Sequence, residues 1–151
     1  MSRRANAATL VVALLLALPA GCMSRIAPHD PTIAAGLADL QTSHARFFDG
    51  LQLSTGTPEG AWECHRHWYE ETRAAIAVLQ VRAASHGRKD DPTAKAIDLL
   101  AKSVDELEQA HAEGFSAGEI PVLRTLFDSQ LRMLIQLEDA KKRPGIAEVS
   151  L

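Results

Sequence analysis

The chain has 151 residues, a formal net charge of −3, 46% hydrophobic residues and only 5% aromatic ones. That is enough for one domain with one core and too little for two. A net-acidic chain has no basic face with which to displace counterions from a polyanion, so nucleic acid is not an expected partner.

The first segment stands apart in composition. Met1-Ser2-Arg3-Arg4 is basic, Ala7 to Leu18 is apolar except for Thr9, and Pro19-Ala20-Gly21 places small residues ahead of Cys22. This is the layout of a secretory signal peptide. About a dozen apolar residues span only ~18 Å as a helix, short of the ~30 Å hydrocarbon core of a bilayer, so residues 1–21 are expected to be a signal and not a permanent span. Removing them takes away two bases and no acid, which leaves 130 residues with a net charge of −5.

Leu18-Pro19-Ala20-Gly21-Cys22 resembles the lipobox of bacterial lipoproteins. The resemblance implies lipidation of Cys22, which becomes the mature N-terminus with several acyl chains such as palmitate, and stable anchoring takes more than one chain. Met23 stands where such proteins carry Asp when the inner membrane retains them, which implies an outer membrane facing the periplasm. Cleavage after Ala20 to a soluble product is the alternative. On the lipoprotein reading, residues 22–30 hold the lipidated Cys and a tether. Cys64 is then a single thiol, expected as a small buried hydrophobe, with a link between two copies or ligation together with His67 as alternatives.

Behind the tether, each predicted element opens with helix-start chemistry. Asp30-Pro31, Thr57-Pro58 and Asp91-Pro92 place a capping oxygen before a proline at the first helical position, where a missing N–H costs nothing. Ser116 to Glu119 has the spacing of a capping box. Stops are read at Gly50, Gly87, Gly114 and Pro144-Gly145. The spacing predicts helices over 31–49, 58–86, 92–113 and 117–143, with a tail at 144–151.

Apolar positions recur at threes and fours in all four helices: Ile33, Leu37, Leu40, His44, Phe47 and Leu51; Trp62, His65, Tyr69, Thr72, Ile76, Leu79 and Ala83; Ile97, Leu100, Val104, Leu107 and His111; Ile120, Leu123, Phe127, Leu131, Leu134 and Leu137. No stretch alternates as a strand would. Short connections favour an all-α, antiparallel up-down four-helix bundle over residues 31–143.

That topology sorts residues by height. The tether end collects Arg25, Arg88, Lys89, Lys141, Lys142 and Arg143, read as a solvated cap on helix C-termini or as a contact for anionic headgroups. The far end collects all seven aromatics together with His44, His65, His67 and His111. His44, His65 and His111 lie on the apolar stripes of three helices, and Glu108 completes a Glu-x-x-His spacing, so these four are a candidate transition-metal set. Helix 2 offers Cys64-His65-Arg66-His67 where a di-iron bundle would repeat that motif, and there is no Cys-x-x-Cys-His for haem. An aromatic-lined ligand pocket and plain packing are the competing readings. Trp62, Trp68, Tyr69 and Phe115 are the candidate interaction residues.

The acidic runs Glu70-Glu71 and Asp105-Glu106 read as solvated faces. No Gly-rich phosphate loop or Gly-x-Ser-x-Gly elbow occurs. The expectation is a non-enzymatic, membrane-anchored envelope lipoprotein that needs no cofactor and meets an envelope protein or a polymer with its far end. A periplasmic metal- or small-ligand-binding bundle is the alternative.

Overall fold

A computed structural model of the chain describes residues 26–86 and 91–143. The expected signal peptide at 1–21, Cys22, Met23, Arg25, the Gly87–Asp90 connection and the 144–151 tail lie outside the described residues. The fold is an all-α four-helix bundle: α1 Pro31–Ser54, α2 Trp62–Ser85, α3 Pro92–Glu113 and α4 Glu119–Ala140, with a single 3₁₀ turn at Pro58–Gly60 leading into α2. The helices form a ring in which α1 and α3 each pack on α2 and α4; across the diagonal the backbones stay apart, and Phe47 of α1 meets His111 of α3 edge-on at 6.2 Å between ring centroids. Starts of helices meet ends of their neighbours at both tips, as up-down alternation requires. No described helix is long and apolar enough to cross a membrane.

α4 is shorter than predicted, Glu119–Ala140 in place of 117–143, and two other boundaries move by about a turn, each for a local reason. α1 runs past Gly50 to Ser54 because Leu51, one turn after Phe47, continues the buried stripe at 1% exposure. The stop is Gly56, whose φ of +83° is open to glycine at no steric cost. α2 begins at Trp62 and not at Pro58, because the chain first makes the 3₁₀ turn closed by Gly60 N–H to Thr57 O and Ala61 N–H to Pro58 O. Gly60 is obligatory in that turn: a Cβ there would drive into the Ser54 carbonyl. Gly114, with φ +103°, ends α3 as expected. Only half of the expected capping box forms: the Glu119 carboxylate accepts from both N–H and Oγ–H of Ser116, but α4 starts after Gly118 and the Glu119 N–H goes to the Ser116 carbonyl, so no side chain caps the helix.

The predicted stripes supply the core. Leu37, Tyr69, Ile97, Val104 and Leu131 are wholly buried, as is Phe48, which lies beside the predicted stripe of α1, and each large apolar side chain so placed contributes roughly 1.5–3 kcal/mol.

At the tether end the sequence reading needs correction. Lys141 is neither a solvated cap nor a headgroup contact: its side chain is 4% exposed, with Nζ 2.9 Å from Glu138 Oε2 and 3.4 Å from Asp91 Oδ2. Asp91 does not cap α3 with its side chain, because its Oδ2 faces Lys141. Asp30 does cap α1, accepting from Thr32 N–H at 2.9 Å, while its other oxygen receives Arg82 Nε–H and lies 2.9 Å from His86 Nε2. Glu138 accepts from the Asp30 backbone N–H at 2.6 Å and from Thr93 Oγ–H at 3.4 Å. His29 Nδ1 faces both the carbonyl and the carboxylate of Glu138, at 3.2 and 3.3 Å. The last residues of the expected tether are therefore held on the bundle, and Ala27 is 1% exposed.

Three buried carboxylates are thus tied to groups from the start of α1, the end of α2, the start of α3 and the end of α4. Burial pushes the Asp30 carboxyl up, but the hydrogen bonds from Arg82, His86 and the Thr32 and Ile33 amides outweigh it and hold the group well below its ordinary range. The stabilisation from Asp30 is therefore complete above its ordinary value of 3.8 and is lost as pH falls below it. Asp30→Asn is expected to flatten the acid limb of a denaturation-midpoint profile between pH 5 and pH 2. Glu138→Ala leaves Lys141 buried without its nearer partner and is expected to cost about 3–5 kcal/mol in urea unfolding at pH 7.

Candidate functional site

The far end is organised by the carbonyl that the glycine turn delivers. Gly60 O lies 2.9 Å from His111 Nε2, so Nε2 carries the proton and donates. Nδ1 of the neutral ring is then an acceptor and receives Tyr69 O–H at 2.9 Å. Burial holds His111 below its ordinary value, with His65 pushing the same way against the Gly60 carbonyl and Glu63. Burial, together with the nearby Glu108, raises the Tyr69 phenol far above its usual range. Phe115 stacks on His111 at 4.8 Å between ring centroids. Beside this pair, Glu108 accepts from Trp62 Nε1–H at 3.2 Å and binds Arg73, which keeps its carboxyl low. Arg66 covers the outer side of the Trp62 ring at 5.3 Å.

A second set faces α1. Phe47 stacks on Trp68 at 3.7 Å with the rings 6° from parallel, and Trp68 Nε1–H donates to Ser43 Oγ at 3.0 Å. His65 meets Phe47 edge-on at 5.5 Å and His111 at 5.4 Å. His44, wholly buried, lies against Phe127 and Trp68, and its Nδ1–H donates to Leu40 O at 2.8 Å. Burial lowers its pKa against the opposing pull of the Leu40 carbonyl and Asp128. Nε2 of His44 and Nε2 of His65 are buried with no hydrogen-bond partner.

Between α1 and α2 this half of the bundle leaves an open groove of about 580 Å³, bordered by Asp39, Ser43, Arg46, Phe47, Gly50, His65 and Trp68. Asp39 and Ser43 also border a second cavity of about 430 Å³ that follows the same helix pair toward the tether end. The two form one trough along α1 and α2. Its size falls within the range of small-ligand sites.

The predicted site residues are close together but do not assemble as expected. His44, His65, His111 and Glu108 are not a metal set: both nitrogens of His111 are taken by Tyr69 and Gly60, and Glu108 is taken by Trp62 and Arg73. No group of three His, Cys, Asp or Glu side chains has metal-binding geometry among the described residues. Of the candidate interaction residues, Tyr69 is 0% exposed and bonded inward, so it has no surface to offer. Trp62 and Phe115 are partly buried and pack on Glu108 and His111. Only Trp68 borders the groove. Cys64 is exposed and not a buried hydrophobe, with its Sγ 3.6 Å from Pro58 O. Phe47, expected on the buried stripe, also borders the groove, and so do Asp39 and Arg46, which carry no expectation from the sequence. Their spacing on α1 was the available signal, since 39, 43, 46 and 50 share one helical face.

The fold and this end together define a helical bundle with a satisfied His111–Tyr69 pair and an aromatic-walled groove. No family model, curated protein or solved structure matches the chain.

Two outcomes follow from the histidines. Because His44 and His111 titrate below their ordinary 6.5 when folded, the unfolded chain binds more protons below that pH, and stability falls as pH drops from 7 to 5. His44→Leu is expected to reduce that slope, read as the shift in urea midpoint between the two pH values. Tyr69→Phe orphans His111 Nδ1 and is expected to cost about 1–3 kcal/mol, measured by the same unfolding curves.

Proposed function

We propose that the chain is a lipid-anchored envelope lipoprotein, held by Cys22, whose bundle is a non-enzymatic binding module that receives its partner in the groove between α1 and α2. The observation that carries this reading is the groove itself, an opening of about 580 Å³ walled by the Phe47–Trp68 stack. Four ionisable groups of the far end support it, because His111 and Tyr69 are spent on each other and on the Gly60 carbonyl, and Glu108 is spent on Arg73, which leaves His65 Nε2 beside the groove as a group for binding. A catalytic acid, base or nucleophile needs a lone pair or proton free to reach a substrate. In that setting the tether end faces the membrane, and the groove lies in the half of the bundle turned away from it.

Anchoring and binding are tested separately. The chain should take up a fatty-acid label and sediment with membranes, and Cys22→Ala should lose both properties; an unlabelled wild-type chain defeats the anchor. For the groove, a photoreactive residue replacing Thr42 or Gly50, both of which border it, should capture a discrete partner in cells. The same residue replacing exposed Lys102 on α3 should not, and equal capture at all three positions defeats the groove reading.

A further inference from the structure

Asp39 and Arg46 open onto the same cavity and stand seven residues apart on α1. Seven residues bring the helix back to nearly the same face and advance it about 10.5 Å. Neither side chain has a hydrogen bond or an ion pair among the described residues. Their neighbours are otherwise engaged: Arg124 binds Asp49 and approaches Asp128, and Glu71 is held by His67. An unpaired surface charge signals nothing alone, but here two of opposite sign flank one aromatic wall. That wall is preformed, because the Trp68 indole is fixed by Phe47 on its face and by Ser43 at its Nε1.

We propose, building on the reading of the groove as a binding site, that it takes a short peptide with free termini. The ammonium group lies at Asp39, the carboxylate at Arg46 and an apolar side chain against Trp68 and Phe47. An extended chain spans at most ~3.3–3.6 Å per residue, so about three residues bridge the two charges. A ligand of one charge leaves the opposite group unanswered beside it. A guanidinium and a carboxylate on a defined spacing select for zwitterion length, and the aromatic wall selects for an apolar side chain between.

The test uses the full chain in detergent micelles with ¹⁵N-labelled tryptophan, following the Trp68 indole N–H while titrating Ala-Phe-Ala. A saturable shift is expected at a Kd at or below about 1 mM. N-acetylation and C-amidation should each weaken binding by about tenfold, the usual scale of a lost charge-assisted hydrogen bond. In Asp39→Asn acetylation should have no further effect, and in Arg46→Gln amidation should have none. Gly50→Phe, at a position where a Cβ meets nothing within 4 Å, should abolish binding without lowering the melting temperature. The proposal is overturned by the absence of a saturable shift, by equal binding of the doubly capped peptide, or by binding that survives Gly50→Phe. Should the peptide fail while crosslinking at Thr42 and Gly50 persists, the groove remains the binding site and the peptide class alone is lost.

Discussion

Three carboxylates taken out of water at one end of the bundle set the terms for the rest of it. Asp30, Asp91 and Glu138 are each almost fully buried, and an isolated buried carboxylate is far too costly to keep ionised. Their partners come from every helix end at that tip: Lys141 from the end of α4, Arg82 and His86 from the end of α2, Thr93 from the start of α3. The geometry that satisfies these charges permits one relative height for all four helices. Apolar stripes alone would tolerate a slide of one turn, since leucine packs on leucine at many registers. A slide here strands a charge, and breaking a buried pair costs several kcal/mol.

With the register pinned at one end, the other can carry large side chains in a defined arrangement. The turn around Gly60 reaches over to α3, and its carbonyl sets the tautomer of His111, which in turn receives the Tyr69 hydroxyl. The chain of groups from backbone to histidine to tyrosine is closed. What stays open lies on the α1–α2 side, which packs less intimately than the α1–α4 and α2–α3 pairs. Gly36 lets Leu79 approach, where a Cβ would come within 2.7 Å of its Cδ2, and the stacked Phe47 and Trp68 rings wall the wider part of the trough. The groove and the buried carboxylate cluster are thus complementary features of one packing: tight where charges must be paired, loose where aromatic side chains hold two helices apart.

Much of the fold was legible from the chain and less of the candidate site. The Asp30 cap, the Gly114 stop and the reach of the Glu119 carboxylate back to Ser116 form as the residues indicate, because their partners lie within one helical turn. Gly50 failed as a stop because tertiary burial of Leu51 outweighs the weak helix propensity of an exposed glycine. The far-end histidines were rightly placed near one another, but their hydrogen bonds link residues 42 and 51 positions apart. Periodicity places a ring on a face; it does not state which atom the ring nitrogen meets.

By itself, the sequence determined four helices, their buried faces and the gathering of every aromatic residue at one end. Those properties follow from capping chemistry and a 3.6-residue period, both local. Only the tertiary structure decided that Lys141 is a buried counter-ion, that His111 and Glu108 are spent on internal partners, and that Asp39 and Arg46 remain free beside an aromatic wall. The physical reason is distance along the chain. Glu138 lies only three residues before Lys141, but what buries the pair, and most of the other partners, is remote: 25 residues separate Trp68 from Ser43, 50 separate Lys141 from Asp91 and 109 separate His29 from Glu138. Only closure of the helix ring brings them within bonding reach.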